Sequence, residues 1–486
     1  MKRIRSAAFV AALLALAAPA VAAERPRNVI VFLADDYGAM DLGAANPKTF
    51  YETPHLDRFA REGVRFSAAY SANPVCSPTR YSILTGKHPT RAGLTNFLPG
   101  VRVERFQEAP LTGEMPLAET TTAEALRAAG YRTAFVGKWH LGATEKFWPE
   151  AQGFEVNIAG TNQGSPPSYF SPYKNVRLPD GPPGEYLTTR LADETIKLLE
   201  RFKAEGRPFL LHHHFYDVHT PLQAPADVIA KYRAKAAKLV LKDEYYEEAQ
   251  HFISAKGPRR VRSAQNHAVY AAMIEGMDTA LGRMLRKLDE LGLAEDTLVI
   301  FSSDNGGYST VETAPTSNLP LRAGKGWVYE GGIRIPFIIR VPGARPGRTT
   351  SVPVMTTDIF ATVLDYAGVN LPAGPIDGRS LLPLLRADVA PNRDALYWHF
   401  PHYANQGGFP GGAIRMGDWK LVENYETGAV ELYNLREDEI ERNDRAAREP
   451  GRVQAMREKL HAWYHEVGAK FLRAKEGGPE PWQPPR

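Results

Sequence analysis

One cysteine, Cys76, stands among 486 residues. A disulfide within the chain needs two, so stability has to come from a core, and the thiol is either a small buried hydrophobe or chemistry. Strong charge of either sign is lacking too. The 59 Lys and Arg against 55 Asp and Glu leave a formal net charge of +4, too little at this length to imply a nucleic-acid partner. The one basic run, KGPRRVR from Lys256 to Arg262, reads as a solvated loop. Past the N-terminus no apolar stretch is long enough to cross a bilayer, so no membrane span is expected. Internal repeats, a nucleophile elbow, a glycine-rich phosphate loop and an HExxH pair are likewise missing. At the start, Lys2, Arg3 and Arg5 precede AAFVAALLALAAPAVAA. Residues 1–23 therefore read as a cleaved bacterial-type signal peptide, and the mature protein as periplasmic or secreted.

The chain is longer than the ~250–300 residues at which single cores stop growing, so a large domain with a smaller companion is expected. Apolar, β-branched runs bounded by turn residues recur: NVIVFLA, TAFVG, PFLLHHHF, TLVIFSS and PFIIRVP. Helical patterns such as TRLADETIKLLERFKAEG lie between several of them. The alternation predicts an α/β domain over 24–385, with a largely parallel central sheet and helices on both faces. Shorter segments after it predict a C-terminal subdomain over 386–486, with a small antiparallel sheet and a terminal helix.

Parallel sheets bind ligands where the strands end and the loops begin. Asp35 and Asp36 follow the first run, and Asp304 and Asn305 follow the fourth. Either pair alone reads equally well as a strand-ending turn. Together they form an all-oxygen set suited to a hard divalent cation. Lys138 and His140 in GKWHLG, His219 in DVHTP, and Lys325 in RAGKGW would face it, and such a pocket suits a tetrahedral oxyanion. His212, His213 and His214 cannot share one ion, because neighbours on a strand point to opposite faces. His214 or Asp217 is expected to edge the substrate pocket.

Cys76, Pro78 and Arg80 fit C-x-P-x-R, followed by Thr85 and Gly86. A cysteine phosphatase needs five residues between Cys and Arg, and three stand here. The stretch CSPTRYSILTG resembles the signature of the type I sulfatases, of the arylsulfatase and N-acetylgalactosamine-6-sulfatase kind, in the alkaline phosphatase superfamily. NVIVFLADDYG, GKWHLG, HTPLQAP, SSDNGG, LRAGKGWVYEGGIRIP and RMGDWKLV resemble further family blocks in the family order. Thr79 stands where serine is commoner in the signature.

The resemblance implies an alkaline-phosphatase-like fold and a hydrolase of sulfate esters. It also implies that Cys76 is converted to Cα-formylglycine before export by a formylglycine-generating enzyme. One Ca²⁺ would be held by Asp35, Asp36, Asp304, Asn305 and the modified Cys76. The formylglycine hydrate would attack sulfur, and His140 would take the proton that lets sulfate leave. Lys138 and Lys325 would grip the sulfate, His219 with Lys325 would protonate the alcohol, and Arg80 would orient the hydrate. Export favours a sulfated carbohydrate as substrate, with His399, His402 and Arg415 of the subdomain as the polar residues nearest to choosing it. Two other readings stay open: a phosphonate or phosphodiester hydrolase on the same scaffold, and a glycan-binding protein whose Cys76 is never converted.

Overall fold

The strand Asn28–Ala34 is buried at all seven positions, as a mostly apolar, non-alternating strand must be when both faces of its sheet are covered. A computed structural model describes residues 27–100, 102, 104–311 and 313–485; the expected signal peptide lies outside them. Asn28–Ala34 lies within an eight-stranded sheet. From edge to edge the order is Arg348–Thr350, Val64–Phe66, Phe337–Arg340, Thr297–Ser303, Asn28–Ala34, Phe209–His214, Arg132–Gly137 and Val156–Ile158. From Thr297–Ser303 to Val156–Ile158 every pairing is parallel, as the alternation predicts.

The PFIIRVP run is a strand, Phe337–Arg340, but it pairs antiparallel with both of its neighbours. A parallel return needs a crossover, usually a full helix. Between Ser303 and Phe337 the only helix among the described residues is the four-residue Glu330–Ile333.

Alternate residues of Asn28–Ala34 feed two different cores. Ile30, Phe32 and Ala34 pack with the helices Leu187–Glu205 and Ala268–Glu290, while Val29, Val31 and Leu33 pack with Cys76–Thr85 and Thr357–Ala367. Helices cover both faces of the sheet. The carboxyl ends of four parallel strands thereby become the place where chemistry is possible.

The C-terminal part is a four-stranded antiparallel sheet, Leu396–Phe400, Gly411–Met416, Trp419–Asn424 and Val430–Asn434, with the helix Pro450–Val467. Trp398, Ile414 and Leu421 share a core with Tyr70, Trp327 and Tyr329 of the larger unit. A charge cluster crosses the same boundary: fully buried Lys420 pairs with Glu330 at 3.0 Å and Glu441 at 2.8 Å. Removing one partner of a buried pair leaves the others uncompensated, so Lys420→Ala is expected to cost about 3–5 kcal/mol, read by chemical denaturation.

The basic run corrects one expectation. Arg259–Arg262 is a strand paired antiparallel with Tyr245–Glu248, and Arg262 is buried against Asp243 and Asn266 instead of being solvated.

Candidate active site

Residue 76 opens the helix Cys76–Thr85, whose ten residues are all buried and which ends at Gly86 in the left-handed conformation, φ 69°. A helix start carries partial positive charge, so a group at residue 76 sits over the favourable end for an anion. One turn on, Arg80 is wholly buried. It donates through Nε (2.9 Å) and Nη2 (2.7 Å) to Asp304 Oδ2 and through Nη1 to the Lys138 carbonyl (2.7 Å), and it stands 3.7 Å from Asp35. The Thr79 hydroxyl donates to the Asn73 carbonyl at 3.2 Å, a bond that serine could make equally well.

The strand ends converge as the sheet predicts. Asp35, Asp36 and Asp304 each offer an oxygen, and the three lie within 4.8 Å of one another. Lys138 Nζ donates to Asp35 at 2.6 Å, Lys325 Nζ to Asp36 at 2.8 Å, and Asn305 Nδ2 to Asp36 at 2.8 Å. Three acidic side chains thus face three basic ones, Arg80, Lys138 and Lys325. Burial, with repulsion from Asp304 and Asp36, pushes the Asp35 carboxyl well above its usual range despite Lys138. Burial opposes ionisation of Asp304 too, but Arg80 and both lysines outweigh it and hold that carboxyl low. Asp36, with φ 60°, and His140, with φ 58°, occupy the left-handed region, which is strained for side chains of this kind and recurs at functional sites.

These residues fit a hard cation. Asp35 Oδ1 and Asn305 Oδ1 are buried and have no hydrogen-bond partner among the described residues. Unsatisfied oxygens beside two further carboxylates are what a Ca²⁺ site offers, and no nitrogen or sulfur ligand is needed.

Hydrogen bonds set the two histidines. His140 Nε2 lies 2.6 Å from the Leu98 carbonyl and must donate there, which leaves Nδ1 as an acceptor, 3.4 Å from Cys76 Sγ. Burial and the nearby Lys138 keep its ring neutral, well below the usual histidine range. His219 Nδ1 faces the Thr220 carbonyl at 2.9 Å, so its Nε2, 3.6 Å from Asp36, is bare in the neutral ring. Burial and Lys325 push His219 down to about 3. The Leu98 and Thr220 carbonyls have no signature in sequence, because any residue supplies one.

The other expected substrate residues have buried partners within the protein. His214 is buried with Nδ1 3.4 Å from Arg80 and Nε2 3.1 Å from His212. The Asp217 carboxylate is held by Thr188 at 2.8 Å and Tyr186 at 3.3 Å, while its backbone carbonyl accepts from Asp35 N at 2.8 Å. His402 is fully buried with Nε2 on Thr95 and Nδ1 on Glu108, and His399 pairs with Tyr425 and the Lys470 carbonyl. Arg415 is bound to Tyr70 and the Gly417 carbonyl. A polar residue on a strand can as well be a buried partner of something distant as a solvent-facing one.

A largely parallel sheet with a cluster of acidic and basic side chains at its carboxyl end, joined to a small antiparallel sheet, is an α/β fold of the alkaline-phosphatase-like kind. A family model of the sulfatases matches residues 27–369, and a model of the N-sulphoglucosamine sulphohydrolase C-terminal region matches 323–468. A sulfatase of Formosa agariphila is 30% identical, over 91% of this chain and 89% of its own. The dog N-acetylgalactosamine-6-sulfatase is 32% identical, over 78% of this chain and 70% of its own. The crystal structure of Ps i-CgsB in complex with k-i-k-neocarrahexaose superposes with a TM-score of 0.73 at 25% identity, covering 90% of this chain and 93% of that one. The chain belongs to the sulfatase family and is a sulfuric ester hydrolase.

Proposed function

We propose that the chain is an exported sulfatase acting on sulfated carbohydrate, with one Ca²⁺ held by Asp35, Asp36, Asp304 and Asn305, and with Cys76 matured to formylglycine. The observation that carries the reading is residue 76 itself: it opens a buried helix, 3.4 Å from a histidine acceptor and beside three carboxylates and three cations. One relative is named an N-acetylgalactosamine-6-sulfatase and one solved structure holds k-i-k-neocarrahexaose, which supports a carbohydrate substrate. The leader composition supports export into the periplasm or medium, and among the described residues no helix is long and apolar enough to cross a membrane. The catalytic domain would run to residue 385 and the subdomain over 386–486.

When present, the ion would supply positive charge at residue 76 and formylglycine, as its hydrate, the nucleophilic hydroxyl. Lys138 and Lys325 hold the sulfate oxygens: each is buried, and a cation in a dry pocket stabilises developing negative charge far better than one in water. Arg80, fixed by Asp304 and the Lys138 carbonyl, keeps the carboxylates and residue 76 in register. His140 Nδ1 takes up the proton of the residue-76 hydroxyl, since its other nitrogen is committed to Leu98. His219 Nε2 is bare in the neutral ring, so His219 has to take up a proton there before it can give one to the leaving alcohol, with Lys325, which shares Asp36 with it, to stabilise the alkoxide.

Mass spectrometry of the peptide containing residue 76 tests maturation through the exchange of CH₂SH for CHO; an intact thiol in active protein overturns it. Sulfate release from sulfated sugars, aryl sulfates and matched phosphate esters tests the substrate class, and turnover of the aryl ester alone sinks the carbohydrate reading. Metal binding has its own readout. Ca²⁺ at ~100 times its dissociation constant is expected to add about 2.7 kcal/mol of stability, seen as a higher melting temperature that chelator reverses.

A further inference from the structure

We infer that the pocket built around the basic hairpin is a second anion subsite, which holds a sulfate or carboxylate of the same sugar chain whose sulfate ester is cleaved. The inference rests on the carbohydrate reading above. The cavity measures about 390 Å³ and is lined by Arg102, Glu104, Gln250, Ser254, Lys256 and Arg259, among others. That volume falls within the ~300–1,000 Å³ range of ligand pockets.

Its charge is lopsided. Three cations face one acid, Glu104, which is already paired with Arg102 at 2.5 Å and accepts from Ser254 at 3.0 Å. Lys256 is exposed and makes no ion pair among the described residues. Arg259 spends one bond on the Asn405 carbonyl, at 3.2 Å, and its Nε has no partner among the described residues. Gln250 is 8% exposed, and its Oε1 also has no partner among the described residues. On such a wall the exposed Lys256 ammonium and the outer guanidinium nitrogens of Arg259 can donate to an anion.

Position ties this pocket to the reaction. The loop Ala404–Gly408 lies between it and Lys325. Arg102 Nη1 donates to the Ala404 carbonyl at 3.0 Å and Arg259 to Asn405, while the other side of the loop presses on Gly326, where an added Cβ would lie 2.7 Å from Gln406 Oε1. Leu98, which fixes His140, is four residues before Arg102. The pocket and the backbone next to the sulfate-gripping lysine therefore share one wall, Ala404–Gly408.

The test compares wild type with Lys256→Gln/Arg259→Gln, and with Glu104→Gln, which changes the local charge the other way. Probes are 4-nitrophenyl sulfate, a monosulfated chondroitin disaccharide whose second anion is a carboxylate, and a carrageenan tetrasaccharide whose second anion is a sulfate. The double variant is expected to raise KM roughly tenfold for the doubly charged sugars, the loss expected for a charge-assisted bond, with 4-nitrophenyl sulfate unaffected. Glu104→Gln is expected to lower the same KM. Whichever sugar responds identifies the anion. Equal changes on aryl ester and sugars, or no change on either sugar, overturn the subsite. If wild type turns over none of the three, the catalytic reading has failed instead, and direct binding of the two sugars to wild type and variants decides the subsite.

Discussion

Cys76→Ala is expected to fold like the wild type and to hydrolyse sulfate esters about 10⁴-fold more slowly or worse, the usual scale for removing a covalent nucleophile. The structural cost is small. Cys76 is buried, but among the described residues its sulfur's one hydrogen-bond contact is His140 Nδ1 at 3.4 Å, and the rest of its helix is untouched. Losing one small buried group, thiol or aldehyde, costs ~1 kcal/mol, so the melting temperature moves little. The Ca²⁺-dependent rise in melting temperature should survive, because the four oxygen-bearing side chains are still present. That combination separates loss of the nucleophile from loss of the site. Retention of more than a small fraction of wild-type rate by the alanine variant would falsify a covalent role for residue 76.

Much of the site was legible because strand ends are legible. NVIVFLA and TLVIFSS correspond to Asn28–Ala34 and Thr297–Ser303, since an unbroken apolar run stops where the chain meets polar groups. Strand direction carries no such mark, so Phe337–Arg340 looked like its parallel neighbours. Val64–Phe66 and Arg348–Thr350, at three residues each, are too short to show a period. The hairpin at Arg259–Arg262 was hidden by its charge: three of its four residues are arginines, and only the pairing with Tyr245–Glu248 reveals a strand. His402 and Arg415 suggested substrate contacts because their partners are remote in the chain. Glu108 lies 294 residues from His402, and Tyr70 345 from Arg415. Local sequence reports that a polar group is present, and the tertiary fold decides what satisfies it.

Asp304→Ala should damage both stability and activity, for one reason. Asp304 Oδ2 takes two bonds from Arg80, while Oδ1 accepts from the backbone N–H of Asp36 at 3.1 Å. Without it, the guanidinium stays fully buried with its next carboxylate 3.7 Å away, and the Lys138 carbonyl cannot neutralise it. Breaking a buried pair on one side costs about 3–5 kcal/mol. Asp304→Asn keeps the shape and an acceptor oxygen, and it should cost less. Both variants remove a third of the carboxylates that face the proposed Ca²⁺, so the melting-temperature rise with Ca²⁺ should largely vanish in each. Activity should fall roughly 10³-fold or more in each, because several kcal/mol of charge stabilisation leave with the ion. The asparagine variant is the sharper probe: it is nearly isosteric, so a lost Ca²⁺ response there reports ligation and not collapse. A normal Ca²⁺ response in Asp304→Asn, with activity intact, would remove Asp304 from the metal set and leave it as the counter-ion of Arg80 alone.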